Sequence, residues 1–296
     1  MIKMHVDKMK HFYTYAAAFL AVFLWGSAFP ATRYALEYYS PVSLMVLRFS
    51  TASITLIFIS LIKRIKLPKL KDLPIFAASG ISGVFLYSFL FNTGSVSVSA
   101  GVSSFIIASS PIFTIVLARI FLKETITSIC KIGILISCLG LAVVTLTQSA
   151  ELSFNLGLLL VIGASVSSGV YSLIVRIVTK KYTALEATTY TIIAGTLGTL
   201  FFLPTAISEI PDSNMTVNLI VVLMGIFPAA VAYLTWSYAI SKAKKTAHVI
   251  VFSYLIPFIS ALIAYLWLKE TLSVYTLIGG LVIISGMVLT NIFSKE

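Results

Sequence analysis

The chain has 296 residues, of which 59% are hydrophobic and 10% are charged, and its net charge is +11. The mean hydropathy of +1.03 excludes a soluble globular protein, because one core of this size cannot bury so much apolar surface. The basic residues lie between apolar runs rather than on one face of a folded domain, which argues against binding of nucleic acid. We therefore predict a polytopic membrane protein surrounded by the lipid bilayer.

Ten apolar runs follow one another along the chain. Each has about the 20 residues that a helix needs to cross the hydrocarbon of a bilayer, and each is too uninterrupted for a strand of an outer-membrane barrel. The sequence thus predicts an all-α fold with ten transmembrane helices. Their approximate limits are 12–36, 42–62, 73–93, 97–121, 128–147, 155–178, 185–204, 216–239, 246–267 and 273–293.

The basic residues indicate how the runs are oriented. If the amino terminus is cytoplasmic, 18 of the 21 Lys and Arg residues fall on the cytoplasmic side, and Arg33, Arg48 and Lys269 remain outside. By the positive-inside rule we predict that both termini are cytoplasmic, in the inner (plasma) membrane of a bacterium. The first run continues to about Leu36 without a cleavage-like end, so we expect it to be retained as a membrane helix.

The first three runs carry polar and aromatic side chains that need partners inside the membrane. Trp25 is a candidate for stacking on a bound solute, and Pro30 interrupts the backbone ladder after it, as a hinge or as a packing kink. Arg48 lies about two helical turns inside the second run. We expect its long side chain to snorkel to the outer interface, the alternative being attraction of a substrate carboxylate. Tyr87 and Asn92 in the third run are candidate hydrogen-bonding residues.

The later runs add candidate residues of the same kinds. We predict hydrogen bonding for Ser109 in the fourth run and Tyr254 in the ninth, and stacking for Tyr171 in the sixth. Tyr233 and Trp236 lie well inside the eighth run. Aromatic walls with a few polar groups suit small organic ligands, so we expect these rings to line a cavity, the alternative being lipid-facing bulk.

The stretch that begins at Pro111 recurs in the second half of the chain at an offset of 146 residues, beginning at Pro257. Five runs per half is an odd number, so the second copy enters the membrane upside down. We therefore predict two inverted repeats, 1–149 and 150–296, around a central cavity, with Pro111 and Pro257 as hinges. The other recurring residues are Lys123 and Lys269, Glu124 and Glu270, Thr125 and Thr271, Gly133 and Gly279, and Gly140 and Gly286.

The repeated glycines are seven residues apart in each half. Small residues at helical spacing allow two membrane helices to approach closely. We predict a packing seam between the fifth and tenth helices, the alternative being the face of a homodimer. A monomer is also compatible with this pattern.

Together these residues resemble the drug/metabolite transporter superfamily, specifically its ten-helix EamA-type members. The resemblance covers roughly 12–146 and 155–293 and rests on WGSAFPATR at 25–33, PVSLMVLRF at 41–49, the repeated Lys-Glu-Thr turns with their glycines, and Tyr171 and Arg176. It implies an inverted-repeat fold whose cavity is lined mainly by helices one, three, four, six, eight and nine. It also implies transport of a small metabolite, without saying which one.

Motifs of enzymes and metal sites are absent from the sequence. There is no His-Glu-x-x-His helix, no Cys pair with ligand spacing, no Gly-x-Ser-x-Gly elbow and no Gly-rich phosphate loop with Lys. Asp and Glu residues all lie near the ends of runs or between them, so no carboxylate at the bilayer midplane is available for proton coupling. We predict no enzymatic activity, no metal and no cofactor.

The sequence therefore predicts a secondary transporter that moves a small organic metabolite, amino-acid-like or drug-like, by alternating access between the two repeats, with export as the expected direction. One alternative is uptake or exchange of an anionic or nucleotide-like metabolite. A second is a passive facilitator or channel. The expected partners are the bilayer and the small-molecule substrate.

Overall fold

The computed structural model describes residues 2–121, 123, 127–146, 155–242 and 251–292. Throughout these ranges the regular secondary structure is helical, which confirms the predicted all-α class. We name the helical stretches of the described ranges α1 to α10 in chain order. They are α1 Ile2–Ala35, α2 Pro41–Lys63, α3 Leu70–Ser95, α4 Ala100–Phe121, α5 Ser128–Leu146, α6 Leu156–Val178, α7 Ala184–Glu209, α8 Met215–Lys242, α9 Phe252–Leu268 and α10 Val274–Ile292.

Seven stretches of the described chain, α1 to α4 and α6 to α8, are long and apolar enough to cross a membrane. The remaining three, α5, α9 and α10, are apolar but shorter. Each of the ten overlaps one predicted run. A count of ten membrane spans stays a prediction, because three of the stretches are shorter than a full span.

Several stretches change their helical pitch along their length. A π segment, Ile81–Leu86, interrupts α3, and a second one, Phe227–Val231, interrupts α8. Similar interruptions divide α4, α7 and α9. The α-helical parts are Leu73–Gly80 and Tyr87–Ser95 in α3, Ala100–Ile107 and Ser110–Phe121 in α4, and Ala184–Thr199 and Leu203–Glu209 in α7. In α8 they are Met215–Ile226 and Ala232–Lys242, and in α9 Ile256–Ile263. Inserted π turns are frequent at functional sites because they redirect side chains and free backbone groups.

Short polar side chains fix where several helices begin. Ser40, Ser99, Asn155, Thr183 and Asn214 each accept a hydrogen bond from a backbone N–H of the first turn that follows. Such caps satisfy amide groups that have no partner within the helix. They are most important at the ends of membrane helices, where the backbone leaves the hydrocarbon.

The predicted packing seam lies between α5 and α10 and is confirmed. A Cβ atom on Gly133 would lie 2.6 Å from the carbonyl oxygen of Gly286, and one on Gly140 would lie 2.7 Å from that of Gly279. The two helices therefore run antiparallel and touch through their backbones, as small residues permit.

The other helices form one bundle around α1, α3, α6 and α8. Helix α1 packs on α8 and α9, while α6 packs on α3 and α4. Helix α2 packs on α7 and α8, and α3 also packs on α7. At the last of these contacts a Cβ on Gly80 would lie 2.3 Å from the backbone nitrogen of Gly195. The crossing of α3 and α7 thus depends on two glycines.

Two of the predicted hinge prolines lie at interruptions. Pro111 follows the break between the two halves of α4, and Pro257 follows the 3-10 turn that opens α9. Pro30 is buried inside α1, which continues through it. The repeated turns also share a backbone feature, since Lys123 and Lys269 have left-handed φ angles of 54° and 57°. Glu124 and Thr125, named in the sequence repeat, lie outside the described residues.

Candidate functional site

Aromatic rings from α1, α6 and α8 meet inside the bundle and form what we call the ring cluster, Trp25, Tyr171, Tyr233 and Trp236. The centroid of Trp25 lies 5.4 Å from that of Tyr233 and 5.3 Å from that of Trp236, and Tyr171 lies 6.2 Å from Tyr233. These separations are typical of favourable aromatic pairs. Each ring is only partly buried, so the cluster keeps aromatic surface that a ligand could cover. The structure thus brings together the four predicted rings.

The ring cluster contacts the π segments of α3 and α8. The indole nitrogen of Trp25 donates to the carbonyl oxygen of Pro228 at 3.1 Å. On the other side, Ser167 Oγ donates to the carbonyl oxygen of Ser82 at 2.8 Å. Tyr171 packs on Gly83, where an added Cβ would lie 2.3 Å from its ring. A side chain of α1 therefore bonds to the backbone of α8, and a side chain of α6 bonds to the backbone of α3. Because Gly83 has no side chain, the Tyr171 ring can pack directly on the backbone of α3.

The repeat offset relates the members of this arrangement in pairs. Trp25 and Tyr171 are 146 residues apart, as are Tyr87 and Tyr233. The two carbonyl acceptors, on Ser82 and Pro228, are separated by the same number. The offset is a signal that the sequence itself contains, and it links residues that the structure places on either side of one cluster.

Arg48 lies beside this cluster, buried between helices. Its residue is 8% exposed, and within the described chain its Nε atom has no hydrogen-bond partner. Tyr87 and Tyr233 are close enough to interact electrostatically with the guanidinium, which also lies 5.4 Å from the ring centroid of Phe49. The site therefore contains one cation among aromatic and phenolic side chains.

The expectation that Arg48 snorkels to the outer interface is wrong. Helix α8 covers this part of α2, since a Cβ on Gly225 would lie 2.6 Å from the carbonyl oxygen of Arg48. A long side chain can reach the interface only where no neighbouring helix closes its route. The glycine on α8 brings that helix close, and the arginine stays inside the bundle.

Three further predicted residues lie outside the cluster and bond to the protein's own groups. Asn92 Nδ2 donates to the carbonyl oxygen of Pro41 at 3.0 Å, which ties α3 to the start of α2. Ser109 donates to its own helix and lies 3.1 Å from the hydroxyl of Ser165. Tyr254 donates to the carbonyl oxygen of Met287 at 3.1 Å. In this structure, the hydrogen bonds of these three residues join helices.

Tyr87 is linked to the cluster through Arg48 and also packs on its own helix. Its ring stacks on that of Phe91 at 5.7 Å, which confirms that the two residues share a face. Phe91 in turn meets Phe29 of α1 at 5.3 Å. This chain of rings connects α3 to α1.

An ionic contact joins four helix ends on the side of the bundle that the charge pattern predicts to be outside. Arg33 Nε lies 3.6 Å from a carboxylate oxygen of Glu270, and Arg33 also donates to the carbonyl oxygen of Ser95 at 3.0 Å. The other carboxylate oxygen of Glu270 accepts from the backbone nitrogen of Ala100 at 3.0 Å, at the start of α4. The ends of α1, α3, α4 and α9 are therefore held together here.

A separate groove of about 250 Å³ lies between α1, α8 and α9. Its lining is almost entirely apolar and includes Leu223, Phe227 and Trp267, which are 39%, 42% and 42% exposed. A lipid chain has the chemistry of such a lining, so this groove is a poor candidate for a polar solute. Within the described residues no group of three or more His, Cys, Asp and Glu is arranged to hold a metal ion.

Comparison with known proteins agrees with this architecture. The model of the EamA-like transporter family matches residues 12–146 and 155–292. The chain is 32% identical over 278 residues to a probable terminal-alkyne amino-acid exporter of Streptantibioticus cattleyicolor, covering 93% of this chain and 92% of that protein. It is 35% identical over 276 residues to an uncharacterised transporter of Archaeoglobus fulgidus, covering 93% and 95% of the two chains.

The fold itself is also found in a crystal structure of another protein. The two chains are 20% identical in sequence and superpose with a TM-score of 0.68. The superposition includes 95% of this chain and 97% of the other. At this level of identity the likeness concerns the fold alone. With the family match over nearly the whole sequence, the conclusion is that the chain is an integral membrane transporter and belongs to the EamA-like transporter family.

Proposed function

We propose that the protein is a secondary transporter that exports a small, partly apolar organic metabolite by alternating access between two inverted repeats. The observation that carries the proposal is the ring cluster. Two of its rings, Trp25 and Tyr171, occupy counterpart positions in the two halves, and a third, Tyr233, is the counterpart of Tyr87 beside Arg48. A site between two related halves is accessible from either side when the halves rock about it.

The pattern of helix packing supports the inverted repeat. Helix α6 packs on α3 and α4, and its counterpart α1 packs on α8 and α9, which are the counterparts of α3 and α4. The α5 and α10 seam pairs Gly133 with Gly286 and Gly140 with Gly279. An antiparallel seam between counterpart helices is what a two-fold axis in the membrane plane requires.

The similarity to a probable amino-acid exporter supports the direction and the size of the solute. Aromatic walls bind small solutes through apolar contact, with polar groups fixing their orientation. We also propose a location in the bacterial inner membrane with both termini cytoplasmic, which the excess of Lys and Arg on one side supports.

Counterflow in proteoliposomes tests the proposal. Vesicles loaded with an unlabelled solute are diluted into the same solute carrying a radioactive label, using leucine, phenylalanine, a neutral nucleoside and a cationic dye in separate runs. A carrier that must turn over with solute bound exchanges label faster when the solute is on both sides. A channel gives no such acceleration, so loaded and empty vesicles would then fill at the same initial rate.

The role of the ring cluster is tested in the same assay. Replacing Tyr171 and Trp236 together by Leu removes two rings, each worth about 1 kcal/mol of aromatic contact, so the half-saturating concentration should rise about thirtyfold. Trp267→Leu is the matched control, because Trp267 is 42% exposed and lines the apolar side groove. Unchanged exchange by the double variant would remove the ring cluster as the transport site.

A further inference from the structure

The guanidinium of Arg48 is a buried cation without a counter-ion in the described chain. The residue is 8% exposed, and its Nε atom has no hydrogen-bond partner. The ion pairs found in the described ranges join Arg33 to Glu270 and Lys181 to Asp72, away from this position. The guanidinium lies 5.4 Å from the ring centroid of Phe49, and the phenols Tyr87 and Tyr233 are near enough to interact with it electrostatically.

Such an arrangement is costly for a protein that carries it for structure alone. A charge inside a membrane protein requires a partner or water, and burying it unpaired is strongly unfavourable. Arginines in this situation mark pathways and ligand sites, and a guanidinium offers a planar fork of donors that fits a carboxylate. A bound anionic ligand would supply the partner that Arg48 lacks within the described chain.

The charge is also placed asymmetrically. Most elements of the site occur twice, as the pairs Trp25 with Tyr171 and Tyr87 with Tyr233 show, but the residue 146 positions after Arg48 is Ala194. Of these two counterpart positions, only the one in the first half carries a cation. A ligand held between the halves would therefore be oriented, with its anionic end toward α2 and its apolar part against the ring cluster.

From these observations we propose that Arg48 binds the carboxylate of the transported solute, so that the substrates are small organic carboxylates with an apolar side chain. Tyr87 and Tyr233 flank the carboxylate from α3 and α8, and Trp25, Tyr171 and Trp236 cover the apolar part. This inference rests on the proposed transport function and narrows its substrate class.

Thermal unfolding of the purified protein with matched ligands provides the first test. The probes are phenylalanine, 3-phenylpropanoate, phenylalaninamide and 2-phenylethylamine, with leucine and leucinamide as a second series. Ligands that bind the folded state raise the unfolding midpoint with concentration. We expect the carboxylates to raise it at concentrations at least tenfold lower than the amides or the amine, because these lack the group that pairs with Arg48.

Variants at the arginine provide the second test. Arg48→Gln should weaken carboxylate binding at least tenfold, and Arg48→Lys, which keeps the charge but loses the fork, should weaken it less. Arg64→Asn is the matched control, since Arg64 lies at the exposed end of the same helix with a left-handed φ of 50°, which Asn tolerates. Should Arg48→Gln fail to fold, Arg48→Lys and the comparison of acids with amides decide the question.

Three results would overturn the inference: equal binding of acids and amides, unchanged carboxylate binding by Arg48→Gln, or no carboxylate that shifts the wild-type midpoint. Counterflow separates this failure from failure of the proposed function. Accelerated exchange of a nucleoside or a cationic dye would leave a transporter with a different substrate class. No accelerated exchange with any solute class would contradict secondary transport itself.

Discussion

Ser137 on α5 donates a hydrogen bond from its hydroxyl to the carbonyl oxygen of Ile283 on α10 at 3.0 Å, and the two residues are 146 positions apart. This is the offset at which the sequence repeats. When a two-fold axis relates two antiparallel helices, residues at counterpart positions contact each other where that axis passes between the helices. The contact lies between the two glycine pairs of the seam, Gly133 with Gly286 and Gly140 with Gly279.

The seam predicts that a single added methyl group destabilises the bundle. In Gly140→Ala the new Cβ would lie 2.6 Å from the backbone nitrogen of Ile283, so α5 and α10 must move apart. We expect a loss of about 1–3 kcal/mol of unfolding free energy, as is typical of overpacking. Gly198→Ala is the control, because the nearest atom to its Cβ is 3.8 Å away. Equal unfolding midpoints for the two variants would contradict the seam.

The hydrogen bonds to the π segments of α3 and α8 predict similar losses of unfolding free energy for two variants. Trp25→Phe keeps a ring but removes the donor to the Pro228 carbonyl, and Ser167→Ala removes the donor to the Ser82 carbonyl. Each variant should lose about 1 kcal/mol of unfolding free energy, because each leaves a carbonyl without its side-chain donor. Trp267→Phe should leave the midpoint nearly unchanged. If Trp25→Phe behaved like this control, the indole contact would have no role in stability.

The ionic contact at the predicted outer end should act as a gate. Glu270→Gln weakens its contact with Arg33 and with the start of α4, and a partly exposed pair of this kind contributes about 1 kcal/mol. We expect about fivefold faster alkylation of a cysteine at position 32, because Thr32 is fully buried in this structure. The reagent is a membrane-impermeant maleimide applied to a background without Cys130 and Cys138.

The matched control for this gate is Glu37→Gln, which removes an exposed carboxylate at the same end of the bundle. It should leave the alkylation rate of Thr32→Cys unchanged. A rate that rises equally in both variants would indicate a general effect of charge on the reagent. A rate that rises in neither would exclude the contact between Arg33 and Glu270 as a gate.

The ring cluster could be predicted from the sequence because its members share one property, an aromatic side chain deep in an apolar run. Position within a run distinguishes Tyr171, Tyr233 and Trp236 from rings at the ends of helices, and Trp25 is a stacking candidate because it precedes the interruption at Pro30. The spacing of Tyr87 and Phe91 likewise predicted their common face, since residues four apart are neighbours on a helix. Local periodicity was sufficient for these features.

The roles of single polar residues could not be predicted in the same way. Whether Arg48 reaches the interface depends on how closely α8 packs on α2, and that is decided by Gly225, which is distant in sequence. Asn92 and Tyr254 find their acceptors on α2 and α10. A polar group in a membrane bonds to whatever the bundle places beside it, and one sequence does not specify that neighbour.

Alternating access is tested most directly by two distances between the halves, measured by double electron–electron resonance in one lipid composition. Spin labels at Val96 and Lys269 report the predicted outer end, and labels at Lys242 and Lys123, their counterparts by the repeat offset, report the inner end; all four residues are exposed. On introducing Glu270→Gln, alternating access requires that the outer distance lengthens while the inner one shortens. Lengthening of the outer distance with no change at the inner end, as in a gated channel, would contradict it.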